Sequence, residues 1–195
     1  MNRWIQLKSL SVFVCLVLPS IASAEVLTWN FTMDEQQIKN GPESDGSTNS
    51  PGTGSGYVSY DSSTNVISYS LTWDGLIGDV TKLHIHGPAD ATKSNPQHIL
   101  EIYGPPAVAN FPTTTSATWT DSHTLETLIQ PGFDPLSPEQ IVRIMTDGTA
   151  YVNVHTSVFG TGEIRGNLGL PVPEPTCAWF ALLPLLTVRH RMRRQ

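Results

Sequence analysis

The residues best suited to chemistry in this chain are three histidines on two short segments. In Leu83-His84-Ile85-His86 two imidazoles stand two positions apart, and Tyr151-Val152-Asn153-Val154-His155-Thr156 carries a third. Successive side chains of a β-strand alternate between faces, so His84 and His86 share one face and Ile85 takes the other. The same alternation sets Tyr151, Asn153 and His155 against Val152 and Val154. If Ile85 and the valines face a common core, all three histidines lie opposite it, and pairing of the two strands brings them together. A His-x-His pair with a third imidazole from another strand is a donor set for zinc or copper. Asp90, Glu163 or water are the available fourth ligands. The competing role is structural: a neutral imidazole donates at one nitrogen and accepts at the other, so the same histidines can close a polar network with Asn153, Glu163 and Arg165. Arg165 suits a clamp on carboxylate or backbone carbonyls. Glu163 and Arg165, two apart, are expected on one face of the last strand, and His98 and His123, in loop-like surroundings, are expected to be solvated.

The elements that must position these groups read almost entirely as strands. Segments rich in β-branched and aromatic residues lie at Val26 to Met33, Tyr57 to Tyr60, Val66 to Trp73, Lys82 to His86, Ile99 to Tyr103, Ser116 to Thr120, Ala150 to Thr156 and Glu163 to Leu168. Turn formers separate them. One short helix interrupts the series, with Ser137 as N-cap, Pro138 in its first turn, Gln140 completing a capping box, Ile141, Ile144 and Met145 on one face and Gly148 as terminator. The stretch from Asn40 to Gly56 is nearly all Gly, Ser, Thr, Pro, Asn and acids, and reads as a mobile surface loop. The expected fold is all-β, an antiparallel Greek-key sandwich or barrel with one helix.

Both ends are set apart by composition. Residues 1–24 combine Arg3 and Lys8, an apolar run from Leu10 to Leu18 and the small triplet Ala22-Ser23-Ala24, the three parts of a cleavable secretion signal. Residues 171–195 hold Pro171, Pro173 and Pro175, an apolar stretch from Thr176 to Val188 and a basic end from Arg189 to Arg194. That stretch is short for a permanent span of a hydrocarbon core about 30 Å thick. Between the ends, residues 25–170 are expected to form one domain. Sixteen of the seventeen acids but only five of the eleven basic residues lie between 25 and 172, giving that segment a formal charge of −11. Such a surface repels phosphate backbones, which argues against nucleic acid as a partner. Cys15 and Cys177 both fall in the end segments, so neither a disulfide nor a thiol nucleophile is available to the domain.

Two resemblances attach to these residues. Val172-Pro173-Glu174-Pro175, the apolar stretch and the arginine cluster together resemble the PEP-CTERM sorting signal. That likeness implies export to the extracellular space or cell surface of a Gram-negative bacterium, a transient inner-membrane anchor, and processing by signal peptidase and by an exosortase that reads Pro173, Glu174 and Pro175. His84-Ile85-His86-Gly87-Pro88-Ala89, Tyr151 to Thr156 and Gly162-Glu163-Ile164-Arg165-Gly166 resemble, in order, the signature blocks of the CHRD (chordin-type) domain. This implies a compact secreted β-module, immunoglobulin-like or similar to copper/zinc superoxide dismutase, and names a module rather than a reaction; the acidic surface, the lack of a catalytic motif and the sorting signal together lead to the expectation that it binds matrix, exopolysaccharide or envelope protein. No nucleophile elbow, Walker loop, dinucleotide fingerprint or His-Glu-x-x-His is present. The chain is therefore read as a non-enzyme without a certain cofactor; the alternative is a zinc or copper domain with superoxide dismutase-like redox activity.

Overall fold

A computed structural model describes residues 25–104 and 108–173; the expected secretion signal, Glu174, Pro175 and the remainder of the expected sorting segment lie outside the described residues. The fold is all-β and antiparallel, with one helix. In chain order the strands are β1 (Val26–Asp34), β2 (Thr53–Asp61), β3 (Val66–Asp74), β4 (Val80–His86), β5 (His98–Tyr103), β6 (Ala117–Thr124), β7 (Tyr151–Thr156), β8 (Ile164–Asn167) and β9 (Val172–Pro173), with α1 (Pro138–Thr146) between β6 and β7. They form one continuous sheet in the order β5-β4-β7-β8-β1-β2-β3-β6, curled into a half-barrel, and β9 pairs with β1. Strand pairing thus continues through Pro173, past the expected domain limit at Leu170.

Period-two alternation explains which side is filled. Trp29, Met33, Val58, Ile67, Tyr69, Leu71 and Trp73 project into the curl from β1 to β3, and Leu83, Ile85, Val152, Val154 and Ile164 continue the same core across β4, β7 and β8. Each such side chain contributes about 1.5–3 kcal/mol by leaving water. The helix closes the core with Ile141, Ile144 and Met145. Its Ser137 side chain accepts from the Gln140 N–H while the Gln140 side chain accepts from the Ser137 N–H, and Gly148 follows at φ 71°.

Three local expectations change. The 40–56 stretch is not simply a surface loop. Its last residues, from Thr53, already belong to β2, and Ser47, Thr48 and Ser50 are buried. The cause is hydrogen bonding: Thr48 Oγ1 donates to the Glu163 carbonyl and Ser50 Oγ to the Glu163 carboxylate, so polar residues pack because a buried acceptor awaits them. β6 runs on to Thr124, because Tyr69 and Ile67 of β3 continue to offer partners to Asp121 and His123. Glu35–Gln37 form a 3₁₀ turn capped by the Asp34 carboxylate, which carries the chain off β1.

Candidate functional site

The register between β4 and β7 decides the site. His84 lies opposite Asn153, His86 opposite Tyr151 and Lys82 opposite His155, so the polar members of both strands share one face and Leu83, Ile85, Val152 and Val154 share the other. Adding β5 brings His98 opposite His86 and Glu101 opposite His84, through two register shifts. The imidazoles crowd together: ring centroids are 5.4 Å apart for His84 and His86, 5.1 Å for His84 and His155, and 5.8 Å for His86 and His155. One ligand atom from each of the three lies within 4.8 Å of the other two. All three are buried, at 2%, 4% and 9% relative exposure. A pocket of about 390 Å³ opens onto His86 and His155, lined by Asn40, Asn95, His98 and Thr161 among others.

The hydrogen bonds of the cluster are one-sided. His84 Nε2 meets Glu101 Oε2 at 3.2 Å and His155 Nδ1 meets the Gly160 carbonyl at 3.0 Å. His84 Nδ1, His155 Nε2 and both nitrogens of His86 are buried without a partner. Burial pushes His86 down to about 3 and His155 to about 4, and lowers His84 despite its bond to Glu101. For Glu101, burial acts upward but is outweighed by the hydrogen bonds from His84 and His98, which hold the carboxyl well below the usual carboxylate range. At neutral pH His84, His86 and His155 are therefore uncharged imidazoles with free lone pairs beside one carboxylate.

Several sequence expectations are corrected here. His98 is only partly exposed: it opens β5, stacks on His84 at 3.9 Å, meets His86 edge-on at 4.7 Å and bonds through Nδ1 to Glu101 Oε1. His123 lies in β6, where the Tyr69 hydroxyl and its Nε2 stand 2.8 Å apart. Glu101, which the sequence reading passed over, is the carboxylate of the cluster; the signal was its place three residues after His98, hidden because the shift in β5 puts both on one face. Neither Asp90 nor Glu163 serves as fourth ligand. Asp90 caps Thr92 and pairs with Lys93 at the surface, and the Glu163 carboxylate accepts from Ser50 Oγ, Thr156 Oγ1 and the N–H groups of Ile77 and Gly78.

Glu163 and Arg165 also part company. Thr156 has the parity of Val152 and Val154, so Glu163 points to the core side, whereas Arg165 lies with its guanidinium 3.6 Å over the Tyr151 ring on the histidine side. Glu163 precedes β8, whose pairing starts at Ile164, and although its N–H bonds the Val154 carbonyl, strand alternation does not extend to its side chain. Arg165 donates to the carbonyls of Lys93 and Asp90 and to Asn167 Oδ1, pinning the 90–93 segment beside the pocket. Asn153 Nδ2 donates to the Thr161 carbonyl. A Cβ at Gly162, whose φ is 119°, would lie 2.1 Å from Asn153 Oδ1, so this turn requires glycine.

The same sheet face continues past β8. Arg165 pairs with Asp34 of β1, and beyond it three rows cross the four strands β1, β2, β3 and β6. They are Thr28, Ser59, Ser68, Ser122; then Asn30, Tyr57, Ser70, Thr120; then Thr32, Ser55, Thr72, Thr118. None of these side chains is charged, and all but Asn30 carry a hydroxyl. Asp34, Asp61 and Asp74 stand only at the strand ends.

Comparison with known proteins gives one family: the model described as CHRD domain matches residues 32–168, more than half of the chain and all the residues of both regions just described except Thr28 and Asn30. No curated protein and no solved structure matches.

Proposed function

The chain belongs to the CHRD domain family, and on that premise we propose that it is an exported module that acts by binding, not turnover, with a neutral matrix or envelope polysaccharide on its hydroxyl face. Family membership supports an extracellular binding module in general. The observation that carries the ligand class is the uncharged array on β1, β2, β3 and β6 in a domain otherwise rich in acids.

A solvated sheet face ordinarily carries charged side chains, which keep water and repel neighbours. Here hydroxyls and one amide present donors and acceptors at strand spacing, about 4.8 Å apart across the sheet. Sugar hydroxyls are matched by such groups without the desolvation cost of an ion. Tyr57, exposed at the middle of the central row, offers an aromatic surface to an apolar sugar face. An envelope protein is the other partner class compatible with export. Pull-down of the full chain with neutral glucan, anionic exopolysaccharide and envelope protein fractions tests the reading. Retention on the neutral glucan, abolished by free oligosaccharide, is expected; retention by the protein fraction alone would replace it.

The ends carry the finer part of the reading. Signal peptidase removes residues 1–24, and an exosortase recognises Pro173, Glu174 and Pro175 during transient anchoring at the inner membrane of a Gram-negative host. Val172 and Pro173 pair along β1 and are exposed, so the chain reaches this tripeptide at the surface of the domain. Intact mass of protein from the native host is expected to lack both segments. The mass of the uncut chain would overturn both cleavages.

A further inference from the structure

We propose that His84, His86 and His155 form a transition-metal site for zinc or copper, with Glu101 and the Gly160 carbonyl orienting two of the ligands and the fourth position facing the pocket beside His98. This is independent of the hydroxyl face and of any sugar bound there.

The first support is an imbalance in hydrogen bonding. Buried polar atoms are nearly always paired, and each one left without a partner costs about 1–3 kcal/mol. Four ring nitrogens of this cluster lack one, and they belong to three side chains that are each at least nine-tenths buried. Chance orphans are scattered; these belong to rings whose ligand atoms lie within 4.8 Å of one another. Nitrogens bound to a tetrahedral ion at about 2.0–2.1 Å stand about 3.3 Å apart, so ligand atoms within 4.8 Å of one another have to close by no more than about 1.5 Å.

The second support is that the partners already present choose the ligand atoms. A metal-bound histidine donates its other N–H to a carboxylate or backbone carbonyl, which fixes ring and tautomer. Glu101 takes the Nε2 side of His84 and leaves Nδ1; Gly160 takes the Nδ1 side of His155 and leaves Nε2. The two nitrogens left over are among the unpartnered ones. His98 is held by the other oxygen of Glu101 and stacks on His84, so it walls the pocket and shares the orienting carboxylate.

The donor set names the metal class. Three imidazoles without a carboxylate suit zinc or copper, whereas calcium and magnesium need oxygen ligands. The pocket of about 390 Å³ leaves room at the fourth position for water or a small ligand.

The test uses the full chain produced without a histidine tag, stripped by chelation and dialysed against zinc, copper(II) or cobalt(II) salts. One ion per chain is expected, with visible absorption of tetrahedral cobalt and nitrogen hyperfine structure in the copper spectrum. His86→Ala should weaken binding at least 100-fold. Glu101→Gln should weaken it about 10–100-fold, the range typical for loss of an orienting carboxylate. His123→Ala, remote from the cluster, should leave it unchanged. Because a buried substitution can unfold the protein, the wild type is also read by nitrogen-15 spectra of its histidine rings. Zinc should shift Nδ1 of His84 and Nε2 of His155 while their opposite nitrogens stay protonated. Absence of stoichiometric metal in the wild type, or shifts confined to other histidines, would overturn the site. Unchanged affinity in Glu101→Gln would overturn the orienting role alone.

Discussion

Two halves of one sheet face have been put to opposite uses. Around β4 and β7 the face turned away from the core is roofed by the segments at Asn40, Asn95 and Thr161, and its polar residues, Lys82 apart, are buried. Around β1, β2, β3 and β6 the same face is open, and most of its residues stay in contact with water. Alternation is identical in both; what differs is the cover. The covered half holds few polar groups, each of high consequence, because a low dielectric magnifies both a satisfied bond and an orphaned atom. The open half holds many groups of low consequence, since each hydroxyl trades water for water. A covered half suits one small ligand held by geometry, and an open half suits an extended ligand held by number.

The largest expected effect lies behind the covered half, at the carboxylate that braces β7 from the core side. Glu163 is fully buried and ties the 47–52 segment, the 77–78 turn and β7 through its carboxylate. Glu163→Ala leaves four donors without their acceptor and is expected to destabilise the domain by about 3–5 kcal/mol, read from the denaturant midpoint. A loss below about 1 kcal/mol would mean that the 47–52 segment and the 77–78 turn are held by other contacts.

Acid offers a milder perturbation of the same half. In metal-free protein the unfolded chain takes up protons on histidine near pH 6.5, whereas folded His86 waits until about 3 and folded His155 until about 4, both chiefly because of burial. Between those limits the unfolded state binds more protons, so stability is full above about pH 6.5 and falls as pH drops toward 3. The expected loss across that window is on the order of a few kcal/mol, measured by thermal melts in the presence of a chelator. In His86→Ala the slope should shrink; an equal slope would place the titration elsewhere, for instance at the surface carboxylates.

How much of this could be read from sequence follows from the same physics. Strand alternation is a local rule, so the shared face of His84, His86 and His155 and the opposed valines were legible from two hexapeptides. The helix was legible down to its capping box, because caps are local too. What escaped depended on irregularity or on distant partners. Glu163 stands just before β8, where alternation no longer holds, and its carboxylate goes to the opposite side from Arg165, while the shifts in β5 bring His98 and Glu101 to one face three residues apart. Ser47, Thr48 and Ser50 look like a solvated loop until Glu163, more than a hundred residues on, supplies acceptors for Thr48 and Ser50. The hydroxyl array is visible in each strand as a run of alternating Ser and Thr, yet only the register of four strands shows that it is continuous and uncharged.

The smallest stability effects are expected on the open half, which makes it the cleaner place to test binding. Ser55 and Thr72 are exposed, adjacent across β2 and β3, and lie in the row beside Tyr57. Ser55→Lys places one cation among neutral hydroxyls; at an exposed strand position it should change stability by no more than about 0.5 kcal/mol. A neutral polysaccharide then meets a hydrated charge where it needed a hydroxyl, and retention should fall about tenfold, equivalent to about 1.4 kcal/mol. Thr72→Ser keeps the donor and acceptor and should bind as the parent does. If Ser55→Lys instead binds an anionic polymer more tightly while neutral glucan binding is unaltered, the added cation alone holds the polymer and Ser55 makes no contact with sugar. Equal retention of both ligands by both variants would move the binding surface off these strands altogether, and the contrast between the two halves would then describe only how the sheet is covered.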